Sequence, residues 1–150
     1  MNRFEQFSYV ISGINRHIQK IERDEMIQYG YKGAFAQYLV AIRRFPEGIT
    51  SAKLCEFCDK DKAAVSRVLT EMQEKGLILR EGSDHRYNAL IKLTDEGLRA
   101  AAYVDERAEA AIEAVGNEMT DENRAAFYAT LEFIATKLQS ISKEGLPPPK

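Results

Sequence analysis

The sequence predicts a mainly α fold, six helices with one small β-hairpin between the fourth and the fifth. Three observations carry this. Apolar residues recur at steps of three and four over most of the chain, the period of a helix with one covered face. Residues suited to capping stand at the heads of these periodic segments: Thr50, Asp61, Thr94 and Thr120. After Gly76 the helical period gives way to two short apolar runs with a polar, glycine-containing stretch between them, which reads as a hairpin.

In chain order, Phe4, Phe7, Ile11, Ile14, Ile18 and Ile21 form one stripe on a long first helix. A stripe held this strictly is also what a seam between two chains looks like. Gly30 and Gly33 bracket a break, and Phe35, Tyr38, Leu39, Ile42 and Phe45 make a second helical face that Pro46 and Gly48 stop. Thr50 caps a short third helix, Ser51 to Cys58, and Asp59-Lys60-Asp61 makes a polar turn. Asp61 caps a fourth helix from about Lys62 to Lys75, with Gly76 just past its end. Leu77 to Arg80 and Asn88 to Leu93 are the two strands, and residues 81–86 the hairpin tip. Thr94 then caps a fifth helix from Asp95 to about Val115, with Leu98, Ala101, Ala108, Ile112 and Val115 on one side and Gly116-Asn117 as its stop. Thr120 caps the sixth, where Phe127, Leu131, Ile134, Leu138 and Ile141 form a second seam-like stripe. Residues 145–150, with three consecutive prolines, cannot continue it and are expected to be an extended, mobile tail.

The size of 150 residues fits a single domain, and a hydrophobic share of 45% is enough to build its core. No apolar run approaches the length of a membrane-spanning helix, and the first residues lack a secretory pattern. Two cysteines make no disulfide framework. A cytoplasmic protein is therefore expected. The net charge of −2 is unevenly spread: residues 1–50 carry +2, residues 51–100 balance at zero, and residues 101–150 carry −4. The average thus neither supports nor excludes a local cationic surface.

Short helix, turn, helix and then hairpin is the winged helix-turn-helix order, in which the second helix needs one face for the core and another for DNA. The fourth helix meets that demand. At about 100° per residue, Val65, Val68, Leu69 and Met72 cluster on one side, while Ala63, Arg67, Thr70 and Glu74 fall opposite, flanked by Ser66. Arg67 at the centre of the polar side suits guanine or phosphate, and the small Ala63 and Ala64 let the backbone approach bases closely. At the hairpin tip His85 and Arg86 are placed to reach a neighbouring minor groove. Asp84 would be repelled by phosphate and is better suited to brace an arginine.

The run Leu54 to Ile78, with Val65-Ser66-Arg67 and Glu74-Lys75-Gly76-Leu77-Ile78, resembles the MarR family of bacterial transcriptional regulators. So do Asp84-His85-Arg86, matching the family's Asp-x-Arg wing, and Leu93-Thr94-Asp95-Glu96-Gly97, matching its Leu-Thr-x-x-Gly exit. The resemblance extends over essentially the whole chain. It implies a homodimer joined through its N- and C-terminal helices (residues 1–47 and 98–144) around a DNA-binding part (residues 48–97). Such a dimer binds a pseudo-palindromic operator in double-stranded DNA, usually as a repressor released by a small molecule or oxidant. By position, Ser66 and Arg67 match the recognition-helix contacts, Arg86 the minor-groove arginine and Asp84 the bracing carboxylate. Thr50, Ser51 and Lys62 sit where phosphate contacts are common. Tyr9, Tyr31 and Tyr38, with Tyr29 and Phe35, are the candidates for a small aromatic effector. Two departures stand out: Ala63 and Ala64 replace a common Ser or Thr, and Lys60 replaces an apolar residue.

Other readings are weaker. Cys55-Glu56-Phe57-Cys58 has redox spacing, yet both cysteines fall where such a helix packs small apolar residues, and no further Cys or His cluster completes a zinc site. His17 reads as a surface or interface residue. No metal or cofactor is expected. Neither paired carboxylates nor a nucleophile elbow nor a phosphate loop points to an enzyme. The alternatives to a DNA-binding regulator are a protein-interaction adaptor on the same fold, favoured by the balanced charge of residues 51–100, and a cysteine-based redox-sensing regulator.

Overall fold

The computed structural model describes residues 1–82 and 89–150. Among them are helices α1 (Arg3–Tyr29), α2 (Phe35–Arg43), α3 (Ser51–Cys58), α4 (Lys62–Glu74), α5 (Asp95–Asn117) and α6 (Asp121–Glu144), with strands β1 (Ile78–Glu81) and β2 (Leu90–Leu93). The chain divides into two compact units, residues 1–110 and residues 111–150.

In the first unit α1 starts with a capping box: the Asn2 side chain accepts from the Glu5 amide at 2.8 Å, and the Glu5 carboxylate accepts from the Asn2 amide at 2.9 Å. It ends at Gly30, whose φ of 117° lets its amide and that of Tyr31 both turn back to the Met26 carbonyl. Met26 is the buried residue of α1, whereas Phe4, Phe7, Ile11 and Ile14 of the apolar stripe are exposed. The α2 helix is different. Phe35, Ala36 and Tyr38 to Ile42 are all buried, so most of its surface is covered, with α1, α3 and β2 packed against it.

The helix-turn-helix forms where its caps stand. Thr50 Oγ1 accepts from the Lys53 amide at 3.3 Å, and an Asp61 carboxylate oxygen accepts from the Ala64 amide at 2.8 Å. Between the two helices Asp59 takes a left-handed φ of 52°, a conformation that aspartate tolerates better than most residues. Leu54 of α3 and Val65, Leu69 and Met72 of α4 enter one core with α2. Leu69→Ala empties a fully buried site there. It is expected to cost about 2–5 kcal/mol, read as a lowered thermal midpoint.

The hairpin is antiparallel, pairing Ile78 with Leu93 through to Glu81 with Leu90. The first strand starts later than the sequence suggests, at Ile78 rather than Leu77, and the second begins at Leu90, Ala89 lying outside it. Leu77 is withheld from the ladder because its amide donates to the Met72 carbonyl at 2.9 Å, although its carbonyl still accepts, in register, from the Thr94 amide at 3.0 Å. Asn88 and the tip residues Asp84, His85 and Arg86 lie outside the described residues. Ile49 adds a bridge to β2, exchanging two backbone hydrogen bonds with Ile91 at 2.8 and 3.1 Å.

Thr94 ties the hairpin to α5: its hydroxyl accepts from the Gly97 amide at 3.1 Å and donates to the Gly76 carbonyl at 2.5 Å. The face of α5 buried in the first unit is Ala100, Ala101, Val104 and Ala108. Leu98, expected on that face, is 45% exposed, because Gly97 rather than Leu98 turns toward Leu77.

The second unit holds the end of α5, a turn and α6. Ile112 and Val115 are exposed there, so they do not extend a buried face. The helix also passes its expected stop and includes Gly116, whose carbonyl accepts from Arg124 Nε at 2.9 Å. Thr120 caps α6 by accepting from the Asn123 amide at 3.2 Å. Phe127, Leu131, Leu138 and Ile141 of its stripe are all exposed.

Candidate nucleic-acid interface

The α4 helix presents two unlike faces. Val65, Leu69 and Met72 are buried, Val68 is half-buried, and Ala63, Ser66, Arg67, Thr70 and Glu74 face solvent. The amphipathic split read from the sequence is thus the split of the folded helix, with Arg67 flanked by Ala63, Ser66 and Thr70. The Thr70 hydroxyl donates to the Ser66 carbonyl at 3.0 Å, which leaves its oxygen able to accept.

Beside this face opens a cleft of about 830 Å³ between the start of α3, the length of α4 and β1. Ser51, Lys62, Ser66, Thr70, Gln73 and Arg80 line it, so four of the residues expected to meet DNA share one concavity. Among the described residues, Lys62 and Arg80 are the cations of its wall, and no acidic side chain lines it. Thr50, half-buried, is occupied as the α3 cap. Arg80 is a residue the sequence reading did not single out. The signal was present, since the period of two that buries Ile78 puts Arg80 on the same face of β1. His85, Arg86 and Asp84 lie outside the described residues.

The tyrosines lie in different surroundings. Tyr9 is 66% exposed on α1, and Tyr38 is buried in the core, where burial pushes its phenol pKa up. Tyr31 stacks on Tyr29 with ring centroids 5.9 Å apart, and both hydroxyls donate to Glu96, at 3.1 and 3.2 Å. Hydrogen bonds from the Arg99 guanidinium, then from Tyr31, hold the Glu96 carboxyl below the usual glutamate range. Phe35 belongs to the core, and His17 is exposed.

Cys55 and Cys58 are half-buried against the core, and Cys55 also reaches the cleft wall. Burial pushes the Cys58 thiol up, with Cys55 adding to the effect and Lys60 opposing it. That disfavours the reactive thiolate. Among the described residues no cluster of potential ligands could hold a metal ion, and no helix is long and apolar enough to cross a membrane.

A helix-turn-helix packed on a central helix, followed by an antiparallel hairpin, defines the winged helix-turn-helix class. Within that class, residues 29–86 match the family model described as MarR family. Solved structures share the fold. A MarR transcriptional regulator from Methanosarcina mazei Go1 superposes with a TM-score of 0.77 at 20% identity, over 91% of this chain and 99% of that one. A MarR family regulator from Silicibacter pomeroyi gives 0.70 at 22%, over 95% and 92%. A structure from Listeria monocytogenes complexed with 26mer DNA gives 0.71 at 19%, over 95% and 97%. No curated protein matches the sequence. The MarR resemblance of the sequence is thus matched by the family model over residues 29–86, and the fold is shared along nearly the whole chain.

Proposed function

We propose that the chain is a sequence-specific, DNA-binding transcriptional regulator of the cytoplasm, acting as a homodimer on a pseudo-palindromic operator. The observation that carries this is the polar face of α4, where Ala63, Ser66, Arg67 and Thr70 face solvent opposite an apolar face on which Val65, Leu69 and Met72 are buried. An exposed helix of this kind, on a fold whose solved examples include one complexed with 26mer DNA, suits the major groove. Arg67 reads bases, with Ser66, Thr70 and the close backbone at Ala63 beside it, while Ser51 and Lys62 at two helix starts hold phosphates. Thr50 positions α3 through its cap, and the wing residues His85 and Arg86, braced by Asp84, reach the minor groove.

The apolar side chains that α1 and α6 leave exposed, Phe4 at 75% among them, are the surfaces a second copy of the chain would cover. Two copies set their recognition helices about 34–36 Å apart, one helical turn of DNA. A small aromatic effector that alters this spacing removes both sets of contacts together, which makes the regulator a releasable repressor; Tyr9, Tyr31 and Tyr38 remain the candidates to sense it. The raised Cys58 thiol weighs against a redox switch in its place.

The test is binding of the purified chain to duplex DNA by fluorescence anisotropy across a salt series. The proposal expects log affinity to fall linearly with log salt, as counterions leave the phosphates. A protein-only adaptor would bind no duplex at any salt.

A further inference from the structure

Arg80 is oddly placed for a surface arginine. It lies on β1 with its Nε buried and without a hydrogen-bond partner among the described residues, an arrangement that costs free energy unless something completes it. The same side chain forms part of the wall of the 830 Å³ cleft, facing the hydroxyl-bearing side of α4. The rest of that wall suits an anion. Ser66 and Thr70 supply hydroxyls, Lys62 a second cation, and Ser51 stands in the first turn of α3, where the helix dipole favours negative charge. Among the described residues the wall carries two cations, Lys62 and Arg80, and no carboxylate, in a chain whose net charge is −2.

We propose that this cleft is a phosphate seat in which Arg80 is the inner ligand, occupied in the DNA complex by a backbone phosphate beside the recognition helix. The proposal rests on the DNA-binding reading for its source of phosphate, though not for the anion chemistry itself. Arginine is suited to this because its planar guanidinium donates two parallel hydrogen bonds to a phosphate and stays charged at any working pH. A backbone contact carries no base identity, so Arg80 strengthens binding to every duplex alike, whereas Arg67 discriminates among them.

The test separates these roles with Arg80→Met, which keeps the packing bulk and removes an unpaired buried N–H. The thermal midpoint of the variant is expected to stay level or rise, which sets a binding effect apart from a folding defect. Its affinity for specific and unrelated duplexes is expected to fall by the same factor, about tenfold. The slope of log affinity against log salt should shrink by about one. In parallel, inorganic pyrophosphate is titrated into the wild-type protein while the Arg80 Nε–H signal is followed by NMR, assigned by its loss in Arg80→Met.

A saturable shift of that signal supports the seat. If the wild type binds no duplex yet the signal shifts, the seat stands and the DNA-binding reading falls. If duplex binding is unchanged in Arg80→Met and the signal still shifts, the seat takes a free phosphate rather than the backbone. The proposal is overturned if Arg80→Met keeps wild-type affinity and slope and pyrophosphate leaves the signal in place. It is equally overturned if the wild type binds no duplex and the signal does not move.

Discussion

Arg67→Ala is expected to lower affinity for the specific operator by about 5- to 150-fold, the worth of one good bidentate base contact, about 1–3 kcal/mol. Affinity for unrelated duplex should fall far less. The reasoning is local. Arg67 is exposed in the middle of α4, between the buried Val65 and Leu69, so truncating it removes no core contact and the fold should survive. Its neighbours Ala63, Ser66 and Thr70 have short side chains that cannot replace its reach. A gel-shift competition between specific and unrelated duplexes reads the ratio directly. Full retention of discrimination by Arg67→Ala would assign base reading to other residues.

Gly97→Ala should have the largest effect on folding, a loss of roughly 4 kcal/mol or more. Propensity alone points the other way, since alanine is favoured over glycine in a helix by about 1 kcal/mol. Space decides the sign. A Cβ on Gly97 would stand 2.0 Å from the Leu77 carbonyl oxygen, against about 3.3–3.6 Å for even a close C–H···O contact. Leu77 cannot readily yield. Its side chain is fully buried, its carbonyl holds the Thr94 amide and its amide holds the Met72 carbonyl, so it joins the end of α4, the hairpin and the start of α5. Gly116, also inside α5, is the control: a Cβ there would meet only the Arg124 side chain, at 3.6 Å, and Gly116→Ala should be neutral or stabilising. Thermal melts of the two variants should move apart. A Gly97→Ala protein as stable as the wild type would contradict the packing described.

What could be read in advance was what local chemistry decides. The starts of α3, α4 and α6 follow from Thr50, Asp61 and Thr120, because a cap acts on amides only two or three residues away. The two faces of α4 were legible for the same reason, since periodicity belongs to the helix alone. Leu98 was misplaced because the partner of that turn of α5 is the Leu77 backbone, which helical spacing does not reveal. The bridge between Ile49 and Ile91 joins residues distant in sequence, and no local pattern announces it. Arg80 went unnoticed as a site residue because its significance lies in the α4 hydroxyls across the cleft, a tertiary fact. Tyr9, Tyr31 and Tyr38 were grouped from the sequence as candidates for one effector site, but the fold sends one to solvent, one to a carboxylate and one to the core.

The central claim is sequence-specific recognition of DNA by the polar face of α4. Its most direct test is selection of binding sites by the purified protein from a pool of random duplex DNA, followed by sequencing. The account predicts enrichment of a two-fold symmetric site with half-sites about 10 bp apart, in which base identity weakens when Arg67 is replaced by alanine. Recovery of a pool with no enriched sequence, by a protein that is folded and binds at low salt, would contradict it.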